Sequence, residues 1–347
     1  MIVPDEAGVG TLQRIFVATS RDYIEQAGEF APFQRGAVSF AQVDVSIPPT
    51  HQPGHIDLPK ASGADPAEHI VATNVQRYRN DQEFRNLLRP ALRAHSNEAV
   101  IYVHGFNNTM ADGVFRIAQL NHDLDGDALP MNYAWPSAGN PLGYIHDRDS
   151  ALYARDGLEE MMEQVVQAGA QDVILVAHSM GALVLMETLR QLAIAGNQQV
   201  LGKISGVVLI SPDLDVEVFR AQAERIGPLP EPFVIFTSSR DRALRLSARL
   251  TGRRDRLGTL SNPDAVADLR VTLLDVSQFR DPEQAHFAAA TSPSLLRILS
   301  RLQEIDGAFQ RGATGRTGLL PGTVLTVQNA TQIILSPVAA LGGAGAR

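Results

Sequence analysis

Asp172-Val-Ile-Leu-Val-Ala-His-Ser-Met-Gly-Ala-Leu183 joins a strand-like run to a helix-like run through a single serine. Val173 to Val176 are apolar and mostly β-branched, the profile of a strand buried on both faces. After Gly181 the apolar positions Ala182, Leu183, Val184, Leu185, Met186, Leu189 and Leu192 suit a helix packed against a sheet. Between them sits Ala177-His-Ser-Met-Gly181, a variant of the small-x-Ser-x-Gly turn in which a tight strand-to-helix reversal holds a serine oxygen outward. Small residues are needed two before and two after the serine, because strand and helix pass too close there for larger side chains. Ala177 stands where a glycine is usual. So short a pattern is equally well read as a plain turn capped by serine, and the rest of the chain has to decide.

With 347 residues, 44% of them hydrophobic, the chain can bury a large core in one sizeable domain or two smaller ones. The net charge is −8. Basic residues are dispersed, and the one dense cluster, Arg253-Arg-Asp-Arg256, contains its own acid, which argues against a nucleic-acid partner. The absence of cysteine excludes disulfides, thiolate metal sites and a cysteine nucleophile. No run is long and apolar enough to span a bilayer, so no integral membrane segment is expected. Met1-Ile-Val-Pro-Asp-Glu6 lacks the basic start and apolar stretch of a signal peptide. As written, the chain reads as cytoplasmic; a processed or truncated start would make it periplasmic or lipid-anchored.

Outward from the serine turn, strands and helices alternate. Strands are expected at 14–19, 38–47, 99–104, 131–135, 173–176, 206–211, 233–238 and 270–276. Helices are expected at 81–95, interrupted by Pro90, at 111–124 and at 149–168. From the third strand onward the alternation is that of a mostly parallel sheet covered on both faces. Residues 48–68, rich in proline and glycine, form a long irregular connection. With 136–148 they are the candidates for a lid. His51 and His55 lie four apart in the first of these, but the prolines argue against the helix that would aim them at one metal, and no metal is expected. Residues 1–306 read as a single domain. The tail, 307–347, is rich in glycine and low in charge, with one strand pair suggested around Val324 and Ile333. It could pack along the sheet edge, join an oligomer contact or be partly disordered.

Ligand sites of open α/β sheets lie beyond the carboxyl ends of the strands. The residues that end these strands are therefore the candidates. The fifth strand ends at Ser179 and the seventh at Ser238-Ser-Arg-Asp241; just past the eighth comes His286. That is a serine, an acid and a histidine in the order used by α/β-fold serine hydrolases. A serine hydroxyl is a poor nucleophile until a histidine accepts its proton, and an acid must orient that histidine and stabilise the imidazolium. Of nine histidines only His286 follows Ser179. A histidine in a polar loop is ordinarily just a surface residue, but its place after the last strand favours the base role. Asp241 is preferred as the acid, although it could simply cap the next helix; Asp213 and Asp215, after the sixth strand, are the alternatives. Backbone N–H groups of Met180, at a helix start, and of Phe106, after the close-approach residue Gly105, are the candidate oxyanion donors. His104 reads as a structural tie for that loop. Asn107, Trp135 and Tyr144 are candidate substrate contacts, with Ser137 and Asp147 bordering the same loop; core packing explains Trp135 about as well.

Val103-His-Gly-Phe-Asn-Asn108, Ala134-Trp-Pro-Ser-Ala-Gly139, Ala177-His-Ser-Met-Gly181, Ser211-Pro-Asp213 and Ser239-Arg-Asp-Arg-Ala-Leu244 together resemble a bacterial α/β-hydrolase family, usually described as a domain of unknown function or as esterase/lipase-like. Val17-Ala-Thr-Ser-Arg21 and Val45-Ser-Ile-Pro-Pro49 extend the resemblance over residues 12–304. It implies the α/β-hydrolase fold and a Ser-His-Asp site, and no particular substrate. Members are often exported or lipid-anchored. The expectation is a single domain with about eight strands that cleaves a small-molecule or lipid-like carboxylic ester through an acyl-enzyme, without cofactor. The alternatives are a thioesterase, amidase or lipase of the same fold, or a catalytically silent relative acting as an interaction module. Oligomeric state is left open.

Overall fold

Strand β6 (Asp172–His178) lies at the middle of the sheet, flanked by β4 (Glu98–Val103) and β7 (Ile204–Ile210), both parallel to it. This central place accounts for its unbroken apolar sequence: Val173, Leu175 and Ala177 are buried on one face, while Val176 packs against the cluster on the other. A computed structural model describes residues 2–3, 8–59, 63–252, 256–278, 322–327 and 330–335 of the chain.

The remaining strands are β1 (Thr11–Ile24), β2 (Glu29–Ile47), β3 (Val71–Arg77), β5 (Leu129–Ala134), β8 (Phe233–Thr237), β9 (Thr272–Asp275), β10 (Gly322–Val327) and β11 (Ala330–Leu335). The described residues form one eleven-stranded sheet in the order β10-β11-β9-β8-β7-β6-β4-β5-β1-β2-β3. The run from β1 to β11 is parallel throughout, and the antiparallel pairs β1–β2, β2–β3 and β10–β11 lie at the two ends. The fold class is the one the alternation indicated; the strand count is higher. Strand β3 went unread because only Val71, Ala72 and Thr73 are buried, while Asn74 to Arg77 face solvent at the sheet edge. The suggested pair near Val324 and Ile333 is the β10–β11 hairpin, which extends the opposite edge through a parallel pairing of β11 with β9.

Helices cover both faces. On one side α1 (Asp81–Ala94), α3 (Tyr144–Ala168), α4 (Gly181–Ala195) and α6 (Val216–Ile226) bury residues such as Phe84, Leu158, Leu189 and Phe219. On the other, α2 (Met110–Asp123) buries Val114, Phe115, Ile117 and Leu120 against Ile15, Val17 and Tyr102. Short helix α5 (Gln198–Leu201) follows α4, and α7 (Arg242–Leu250) follows β8. Pro90 is accommodated inside α1, and α3 begins five residues earlier than the sequence suggested.

The end of β2 pairs with the start of β1, since Ile47 faces Thr11. The segment after β2 therefore leaves from the amino ends of the parallel strands, and its His51 and Gly54 meet Asp123 at the last turn of α2. That is the side of the sheet opposite the serine turn, so this segment is no lid over Ser179. Residues 136–148 follow the carboxyl end of β5, on the same side as Ser179. Among the described residues no helix is long and apolar enough to cross a membrane.

Candidate active site

Ser179 directly follows β6 and precedes Met180, the N-cap residue of α4, and its backbone lies in the left-handed region at φ 52°. A serine there is strained, because its Cβ crowds the following carbonyl, and the conformation persists only where neighbours enforce it. The enforcement is visible. Ser179 N–H donates to Ile210 O at 2.9 Å, while Ser179 O accepts from Asp213 N and Ala182 N, both at 3.1 Å. A Cβ placed on Gly181 would come within 2.5 Å of the carbonyl oxygens of both Val103 and His104. Only glycine lets α4 start so close to the end of β4. Met180 caps α4 and is buried, so its amide stands beside the serine at a helix amino terminus, where the dipole favours negative charge.

The loop after β4 is pressed against this turn. A Cβ on Gly105 would lie 2.9 Å from Ser179 Cβ and 2.7 Å from His178 Nδ1. Phe106 follows, with its ring edge-on to Tyr144 at 5.4 Å. Asn107 has φ 58°, and Asn108 Nδ2 donates to Phe106 O at 2.8 Å, closing the loop on itself. Thr109 then caps α2: its hydroxyl accepts from Asp112 N at 3.2 Å, and Asp112 Oδ2 accepts from Thr109 N at 2.7 Å.

Beneath the loop, His104 is fully buried and stacks on Trp135, with ring centroids 5.2 Å apart. Trp135 Nε1–H donates to His104 O at 2.6 Å. Burial, then the nearby Arg21 charge, lower the His104 pKa to about 3, so the ring is neutral. Trp135 is itself fully enclosed, and its contact with the site runs through His104.

A second tie comes from Asp147 at the start of α3, fully buried. Its carboxylate accepts from Ser137 Oγ and Ala138 N, each at 2.6 Å, and from Asn107 N at 3.4 Å. Asn108 N donates to Ser137 Oγ at 3.3 Å. Arg21, buried within β1, adds Nη1–H to Ser137 O at 3.2 Å and Nη2–H to Asn108 O at 3.3 Å. The structure thus joins residues 106–108, residues 136–147 and β1 in one polar network. Sequence reading placed Asp147 at the border of the site but missed the role of Arg21; an arginine just after the apolar run Ile15 to Ala18 was the available signal.

The candidate acids differ in what they already hold. Asp213 is buried: it accepts from Tyr144 Oη at 2.9 Å and Ser247 Oγ at 2.7 Å and pairs with Arg256 at 3.3 Å. Burial, reinforced by the Asp213 charge, raises the Tyr144 phenol to about 12. Asp215 caps α6 by accepting from Glu217 N and Val218 N. Asp241, fully buried after β8, caps α7 by accepting from Leu244 N at 3.0 Å. His286 lies outside the described residues.

The chain is similar to several solved structures at low identity. To an α/β hydrolase from the metagenome of Lake Arreo it is 13% identical, over 89% of this chain and 84% of that one, with a TM-score of 0.39. To an esterase of Thermogutta terrifontis it is 11% identical, over 90% and 97%, with a TM-score of 0.37. To an esterase of the archaeon Pyrobaculum calidifontis it is 12% identical, over 68% and 95%, with a TM-score of 0.35. No curated protein sequence matches the chain. The model of one family, "Alpha/beta hydrolase of unknown function (DUF900)", matches residues 80–302, the span that runs from α1 through the serine turn and beyond β9. The chain belongs to that family of α/β hydrolases.

Proposed function

We propose that this protein is a serine hydrolase that cleaves carboxylic esters. The observation that carries the reading is the strained backbone of Ser179, φ 52°, held between the end of β6 and the start of α4. A strand-to-helix turn capped by serine needs no such strain, whereas a nucleophile that must project from a sheet edge does.

In this reading Ser179 Oγ attacks the acyl carbon while His286 accepts its proton. The carbonyl oxygen takes the developing negative charge and is held by the N–H groups of Met180 and Phe106. Collapse of the tetrahedral species expels the alcohol, which receives the proton from His286, and leaves Ser179 acylated. Water, deprotonated by the same histidine, then releases the acid and restores the serine. Asp241 orients His286. Its place just past the carboxyl end of β8, where it is fully buried, supports Asp241 in that role. Asn107 and Tyr144 border the acyl group, and Trp135 acts through the loop it supports.

The test is hydrolysis of a panel of p-nitrophenyl esters by the wild type and by Ser179→Ala. The alanine variant is expected to lower kcat by roughly 10⁶ while the fold is kept. Activity retained within tenfold by a folded Ser179→Ala protein would overturn the assignment.

A further inference from the structure

The side of the sheet away from Ser179 carries a second group of reactive side chains. At the carboxyl end of α2, His122 and Asp123 meet His51, which arrives from the segment after β2. One ligand atom from each lies within 4.8 Å of the other two. The imidazoles of His51 and His122 stand edge to face at 5.3 Å, and His51 Nε2 is 2.6 Å from Asp123 Oδ1. The side chains of His51 and Asp123 are 8% and 1% exposed.

We propose that His51, His122 and Asp123 bind one first-row transition-metal dication, Zn2+ fitting best, which clasps residues 48–59 to the end of α2. A hydrogen bond between His51 and Asp123 accounts for that pair but gives no reason for a second imidazole at the same carboxylate. Two imidazoles and one carboxylate are a borderline-soft N/O set, suited to Zn2+, Ni2+ or Cu2+ rather than to Mg2+ or Ca2+. The carboxylate is already oriented as such a ligand needs. Asp123 Oδ2 accepts from Gly54 N at 2.7 Å and from Gln119 Nε2, which leaves Oδ1 directed at His51. Gln119 is in turn held by Arg116 Nη1–H at 2.7 Å, and the same guanidinium reaches Gly54 O at 3.4 Å. The carbonyls that end α2 give a cation further favourable field. Zn2+ at its usual ligand distances of about 2.0–2.2 Å requires His51 and Asp123, now 2.6 Å apart, to part slightly so that the ion sits between them, and His122 to move in by roughly 1 Å. His122, on the half-buried surface of α2, has the freedom to do so.

Three ligands leave a position for water, yet α2 separates the site from the serine turn by about 20 Å of helix, so the role is structural. The inference is independent of the hydrolase reading. The experiment uses the full chain without an affinity tag, stripped with EDTA, and titrates it with Zn2+ by calorimetry and with Co2+ by its visible absorption. One ion per chain, a rise in Tm with Zn2+ and no comparable response to Mg2+ are expected. His122→Gln leaves the His51–Asp123 pair intact and so tests binding without removing that contact. It should weaken Zn2+ by more than the roughly 10–100-fold usual for partners behind a ligand. Absence of saturable one-to-one binding by the wild type, or wild-type affinity in His122→Gln, would overturn the site.

Discussion

Ser179 and His104 show how much a single residue's surroundings decide. Both are polar and buried, and they sit on adjacent strand ends. The serine is held in a strained turn; the histidine is held neutral under the loop that the turn touches. The second has a consequence for stability. His104 titrates at about 3 in the folded protein, lowered by burial and then by Arg21, against about 6.5 for a free imidazole. On acidification the unfolded chain takes up this proton first, so the histidine's share of stability is complete above about pH 6.5 and is lost as pH falls towards 3. Across that window wild-type stability should fall more steeply than that of His104→Phe. The difference should approach about 1.4 kcal/mol per pH unit. Chemical unfolding followed at pH 7, 6, 5 and 4 measures it, and equal slopes for the two proteins would contradict this account of His104.

At the scale of elements, the loop after β4 owes its position to three partners of different kinds: the glycine contacts with the serine turn, the Thr109 cap of α2, and the Asp147–Ser137–Arg21 network. The first was legible, because Gly105 is a local signal; the Thr109 cap is local too but went unread. The network was only half legible. Ser137 and Asp147 lie 10 residues apart, but Arg21 is more than a hundred residues away, and nothing local marks it as their partner. The same limit hid His122, since the sequence offered His55 as the neighbour of His51 whereas the fold supplies a residue of α2. In the structure His55 is exposed. If the network fixes the oxyanion donor, Asp147→Ala should lower kcat towards esters by up to ~100-fold with KM little changed. A displacement of the order of 1 Å near the reacting centre costs about that much. Steady-state kinetics on the folded variant decide. An unchanged kcat, or a loss confined to KM, would show that the network serves packing alone.

For the whole molecule, the parallel order around β6 brings the ends of β4, β6, β7 and β8 to one edge, and with them Phe106, Ser179, Asp213 and Asp241. That convergence was readable from the alternation of apolar strands and amphipathic helices, since a parallel sheet leaves little choice about which ends meet. The strands beyond it were harder. Half-exposed β3 carries a weak apolar signal, and β11 pairs with β9 although the paired residues lie nearly sixty positions apart in sequence. The partners of Asp213 likewise needed three dimensions, since Tyr144, Ser247 and Arg256 converge on it from separate elements.

A fluorophosphonate probe tests most directly whether Ser179 is an activated nucleophile, without any knowledge of the substrate. The full-length wild-type protein is treated with the probe, digested and mapped by mass spectrometry, beside a heat-unfolded control. One adduct per chain, on the peptide that carries Ser179, present in the folded protein and absent after unfolding, is the expected result. A folded protein whose Ser179 stays unlabelled would contradict it.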